Sequence, residues 1–242
     1  MNSLQSLLAH QVPAQRSAPQ NVNGRAALYS LGFLLRRAAA DQLDIDEREL
    51  KVGLRVMRDA AGTVIGRIFI SDSLDNGAGY SSRLGQPAQM RSLLQYVTGV
   101  SNPVFFQPLT NHVCQTSCPD CIRDFTNLAF HNILDWRLGL DLARLALDAA
   151  APIDFTPNYW QNAYTQAATV YFTAIGWQST TLGGLQAGRQ GNRIEIITHP
   201  LWNTHPNGFG PQLGGAYAEA LLLGAQVTCR SIFEVLRRPF LT

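Results

Sequence analysis

At 242 residues, 46% of them hydrophobic and 15% charged, the chain can bury one substantial core. Its net charge of +2 makes no electrostatic case for nucleic acid by itself, and no apolar run reaches the ~18 residues a membrane span needs. Met1 to Leu8 lack a basic stretch followed by a long apolar one, so no secretion leader is expected and a cytoplasmic location is. Lys51 is the single lysine among 19 basic residues. Arginine makes bidentate contacts to phosphates and carboxylates that lysine does not, but a codon usage favouring arginine explains the bias more simply.

In chain order, residues 1–24 read as an extended arm, polar with two prolines over 9–24 and with room for a short helix before that stretch. Its apolar residues Leu4, Leu7, Leu8 and Val12 are candidate contacts to a partner. Residues 25–242 read as one domain. Leu28, Leu31, Leu34, Leu35 and Ala38 recur at helical spacing, which predicts a helix over about 24–43. Leu50 to Val56 alternate with polar residues, Asp59 to Gly62 form a turn, and Val64 to Ile70 follow as an apolar run. That is a hairpin whose second strand is apolar enough to be central in a sheet. Helices are expected from near Gly79, over about 87–98, over 123–148 and over about 157–174. A strand pair near 182–198, a helix over about 212–223 and a short strand over 225–230 complete the chain. Strands alternating with helices predict an α/β domain, a mixed sheet flanked by helices.

Three of the four cysteines fall within eight residues, as Cys114, Cys118 and Cys121. Thiolates at C-x3-C-x2-C spacing can wrap one metal ion, and a structural zinc takes four nitrogen or sulfur ligands. A nearby histidine can complete the set, and His112 and His131 flank the triplet. The bland reading is three ordinary cysteines, or a disulfide and a free thiol. Clustered thiols without a leader suit a reducing compartment and Zn2+ better. Cys229 lies far off in an apolar stretch and reads as core.

Asn76, Gly77 and Gly79 follow a strand and precede a helix, the context in which helix amides face an anion. Ser82 stands where the third glycine of a dinucleotide fingerprint belongs. A tight turn is the plainer reading, and a contact to a nucleic-acid backbone or a partner the functional one. Asp72 ends the hairpin, where a lone aspartate is usually a cap. On a continuous helix, Asn127, His131 and Asp135 would stack on one face beside the cysteines. His199 and His205 flank Trp202 in a loop, and Leu201 stands where an H-x-K phosphodiesterase would carry lysine.

Phe69 to Tyr80, Cys118 to Arg137 and Ser231 to Pro239 together resemble the MrfA-type zinc-binding domain. That domain ends a class of superfamily 2 DNA helicases and occurs in the DrmB subunit of DISARM anti-phage defence. The resemblance extends over roughly 25–240. The family's four signature cysteines imply zinc on Cys114, Cys118 and Cys121, with His131 the first choice for fourth ligand and His112 the second. Cys229 would need the fold to bring it near. The same resemblance implies a non-catalytic accessory subunit, since the sequence carries no Walker motif. It would pair with a separately encoded helicase and engage DNA, through Asn76, Gly77, Gly79, Arg123 and Arg137. The alternative expectation is a nuclease or phosphodiesterase subunit using Asp72, His199 and His205.

Overall fold

The computed structural model describes residues 19–74 and 77–237. Most of the expected arm, with Leu4, Leu7, Leu8 and Val12, lies outside the described residues, as do Asn76 and Pro239. The chain divides into two compact units, one running to Pro152 and one starting at Ile153, where the sequence was read as an arm and one domain.

The first unit is built on a long helix, α1 (Val22–Leu43), which starts where the Asn21 side chain accepts the Asn23 amide. Alanines and leucines are buried nearly all round it, including Ala26, Leu31, Leu34, Leu35 and Ala39. A helix apolar on every side needs neighbours on every side. The hairpin β1 (Leu50–Arg58) and β2 (Val64–Asp72) packs on it, with Val52, Leu54 and Ile68 facing the helix side. That hairpin is a two-stranded sheet of its own, so β2 is not central in a larger sheet. Its apolar face is covered by a helix rather than flanked by more strands. After it come α2 (Tyr80–Leu84), α3 (Pro87–Val97), α4 (Pro103–Asn111) and α5 (Trp136–Leu147). Gly139 lets α5 cross α1 closely, because a Cβ there would stand 3.0 Å from the Ser30 backbone.

The continuous helix expected over 123–148 is broken. Residues Phe125–Phe130 form a 3₁₀ turn capped by Asp124, and α5 starts afresh with Asp135 as its cap. Both aspartates bind backbone amides just after themselves, which competes with helix continuation. α4 had no counterpart in the sequence reading. Pro103 sits in its first turn, where its missing donor costs nothing, while Pro108 lies inside the helix.

The second unit holds α6 (Asn158–Ala174), β3 (Gln178–Leu182), β4 (Leu185–Gln190), β5 (Arg193–Thr198), α7 (Pro211–Leu222), β6 (Gln226–Ser231) and α8 (Ile232–Arg237). Its sheet runs β3-β4-β5-β6, antiparallel up to β5 and parallel between β5 and β6. The expected mixed sheet with flanking helices is therefore present, with Ile194, Ile196 and Ile197 of β5 fully buried.

Candidate metal centre

Four side chains converge at the end of α4. Asn111 is the last helical residue and His112 its C-cap, with backbone angles that turn the chain out of the helix. The His112 Nδ1 lies 2.5 Å from the Leu109 carbonyl oxygen. Since a carbonyl only accepts, Nδ1 carries the proton and Nε2 is left with its lone pair free. Nε2 stands 3.0 Å from the Cys114 sulfur, and Cys114 Sγ stands 4.0 Å from Cys121 Sγ. The Cys118 amide donates to Cys121 Sγ at 3.0 Å, and the Cys118 side chain completes the group. The four ligand atoms lie within 4.8 Å of one another.

The donors suit zinc. Metal bonds of about 2.3 Å to sulfur and 2.0 Å to nitrogen give a tetrahedron with edges of about 3.5 to 3.8 Å. The observed separations bracket that range, so small side-chain rotations close the set on one ion. Three sulfurs and one imidazole are a soft set that favours zinc over hard, oxygen-seeking cations. The thiols are already polarised against each other. The Cys121 thiol donating to Cys114 is the main reason that Cys114 is held at about 5, far below an ordinary thiol, while burial opposes the shift. The same hydrogen bond, together with burial, pushes Cys121 strongly upward. One proton bridges two sulfurs where a cation would bridge all four ligands.

The loop that carries the sulfurs has little regular backbone pairing, and side chains hold it instead. Arg37 reaches from α1 to the carbonyls of Pro119 and Cys121, at 2.9 and 2.6 Å. Arg137 donates to the carbonyls of Gln115 and Cys114, at 2.7 and 3.1 Å. Arg123 donates to Ser117 Oγ and to the His131 carbonyl, and Ser117 donates in turn to the Leu134 carbonyl. The Trp136 ring packs 5.3 Å from the His112 ring. Groups of this kind fix ligand direction and so set metal affinity.

The structure sorts the residues singled out from the sequence. Cys114, Cys118 and Cys121 come together with His112, the second choice for fourth ligand. His131, the first choice, is not in that group. Its Nε2 lies 2.7 Å from Asn127 Oδ1 and 3.0 Å from the Asp124 carbonyl, inside the 3₁₀ turn. Asp135 does not stack with these two, because the helix that would have aligned them is interrupted. Cys229 lies on β6 in the second unit, half-buried rather than in the core. Arg123 and Arg137, expected to face DNA or a partner, hold the loop itself, and Arg137 is only 4% exposed. In the glycine turn, the Asp72 carboxylate accepts the amides of Gly79 and Ser81, at 3.1 and 2.9 Å, so amides that could face a phosphate are occupied. Gly77 is where Asp72 comes closest, since a Cβ there would stand 2.5 Å from that side chain. His199 is fully buried among the rings of Phe155, Trp160 and Trp202, and the Leu201 amide donates to its Nδ1. His205 caps the short turn Pro206–Gly208. Arg37 escaped the sequence reading, because nothing local marks a residue 84 positions from its acceptor. His112 had a signal, two positions before Cys114, but only the unforeseen α4 gives it a direction.

The hairpin, α4 and the sulfur loop all fall within one recognisable stretch. Residues 31–122 match the MrfA Zn-binding domain. The match begins inside α1 and ends just after Cys121, so it contains all four converging ligands and excludes His131. It is shorter than the resemblance first drawn over 25–240. The MrfA Zn-binding segment is accompanied by similarity to the Druantia protein DruE of Escherichia coli (strain UMEA 4076-1), 32% identical over 135 residues. That alignment covers 54% of this chain and 7% of the length of DruE. No solved structure matches the chain. Among the described residues no helix is long and apolar enough to cross a membrane.

Proposed function

We propose that the chain holds one zinc ion through His112, Cys114, Cys118 and Cys121 and serves as a non-catalytic component of an anti-phage defence assembly. In that assembly it joins a superfamily 2 helicase and helps engage DNA. The observation that carries the reading is the convergence of an imidazole and three thiols inside the segment that matches a zinc-binding domain. The zinc is structural: four protein ligands fill a tetrahedron and leave no open position for substrate. Similarity to a Druantia protein supports the defence role, and the helicase partnership goes beyond it. No geometry favours the nuclease alternative. Asp72 caps a turn, His199 is sealed among aromatic rings and His205 caps another turn.

The test is co-expression with a superfamily 2 helicase subunit, followed by metal analysis and helicase assays. One zinc per chain, co-purification, and DNA engagement stronger in the complex than for either part are expected. Absence of zinc from freshly purified protein removes the metal reading. A lone monomer beside a fully active helicase removes the accessory reading.

A further inference from the structure

We infer that the outer face of the hairpin is a binding site for single-stranded nucleic acid, with Arg55 and Arg67 on phosphates and Phe69 as a stacking platform for a base. The inference deepens the proposed function and rests on its DNA-engaging part. It starts from strand register. In an antiparallel pair, residues directly opposite share a face and alternate with residues on the other. Val52, Leu54 and Ile68 face α1, which leaves Gly53, Arg55, Arg67 and Phe69 on the outer face.

Arg55 and Arg67 are direct cross-strand partners. Like charges opposite each other oppose folding unless an anion lies between them. Among the described residues neither arginine has an ion pair or a hydrogen bond, and the Arg67 Nε is buried without an acceptor. A buried donor without a partner is costly. The like-charge pairing is relieved by one ligand, an anion that accepts from the accessible nitrogens of both guanidinium groups. Arginine's planar fork suits a phosphate.

Phe69 stands opposite Gly53, and its ring lies across that glycine: a Cβ at position 53 would meet the ring at 2.1 Å. Phe69 is 48% exposed and stands beside the arginine pair. Arg55, Arg67 and Phe69 line a cleft of about 890 Å³ together with Ser81 and Ser82 at the start of α2 and Met90 of α3. A cleft of that size takes a nucleoside phosphate unit. An exposed ring next to phosphate-binding cations is the pattern by which proteins hold single strands, because an unpaired base stacks on the ring whatever its identity. A paired base in a duplex cannot reach such a ring, so the site discriminates by strandedness rather than by sequence.

The experiment measures anisotropy of labelled oligo(dT), oligo(U) and a blunt DNA duplex with the full-length protein over a salt series. The expected result is tighter binding of single strands than of duplex, weakening linearly in log–log salt. Comparison of oligo(dT) with oligo(U) reads whether the DNA or the RNA strand is preferred, and tight binding of either supports the site. Phe69→Ala weakens binding on the order of ten-fold, and Phe69→Tyr restores it. Arg55→Ala with Arg67→Ala lowers the salt slope by about 1.4, the share of two phosphates on a single strand. Arg55→Ala alone, an exposed change, lowers it by about half that and covers the case in which the Arg67 change disturbs folding. Zinc content and melting temperature, read on every variant, report whether the fold is kept. Wild-type binding that all these variants share places the nucleic-acid contact elsewhere and overturns this site, leaving the DNA-engaging reading intact. Preference for duplex likewise overturns the site alone. No binding by the wild type, alone or with the helicase, overturns both.

Discussion

Replacing His112 with alanine, against replacing His131 with alanine, decides which histidine completes the metal set. His112 presents Nε2 at 3.0 Å from Cys114 Sγ and is oriented by its Nδ1 contact to the Leu109 carbonyl. Losing it removes one of four ligands and the ring that packs on Trp136. Removing groups that merely orient a ligand costs about 10- to 100-fold in metal affinity, so removing the ligand itself should cost about 100-fold or more. At fixed free zinc that is about 2.8 kcal/mol, since each factor of ten is about 1.4 kcal/mol. For a unit of this size, it lowers the melting temperature by about 6 to 11 °C. His131→Ala loses contacts to Asn127 and Asp124 in a half-buried turn, worth about 1 kcal/mol, with zinc still at one per chain. The assay is zinc competition with a chromogenic chelator, run beside a thermal melt. A His131→Ala protein that gives up zinc easily, with His112→Ala holding it like the wild type, would refute the assignment.

Cys118→Ser should lose the ion and destabilise the fold, because much of the zinc-binding free energy is folding free energy; elemental analysis and a melt check it. Arg137→Leu leaves the carbonyls of Cys114 and Gln115 without their donor, so zinc affinity should fall about 10-fold while stoichiometry at saturating zinc stays at one. Gly77→Ala pushes Asp72 off the Gly79 and Ser81 amides, costing about 1 to 3 kcal/mol in chemical denaturation without changing zinc content. Gly79→Val places a β-branched residue at φ +79, and should impair assembly and DNA engagement more than zinc content. Arg36→Leu strips the partner from Glu47 and Asp124 and should cost about 3 kcal/mol in a urea melt.

The sequence by itself determined the elements whose signals are local. The leucine and alanine period of α1, the alternation and turn of the hairpin, and the isoleucine run of β5 each depend on near neighbours, and the structure contains all three. Thiol crowding likewise marked the metal site, since spacing alone keeps Cys118 and Cys121 in one turn. Tertiary structure decided the rest. The choice between His112 and His131 turned on whether residues 123–148 form one helix, and two capping aspartates divide it. Those caps compete with helix continuation by amounts too small for periodicity to reveal. Arg123 and Arg137 were expected to face DNA or a partner, yet Arg137 is buried and both donate to their own loop, Arg137 to the Gln115 and Cys114 carbonyls and Arg123 to Ser117 and the His131 carbonyl. Arg37 and its acceptor at Cys121 are brought together only by the packing of the loop on α1. Periodicity describes which residues seek burial, whereas the partner that satisfies a buried polar group is set by which segments finally lie side by side.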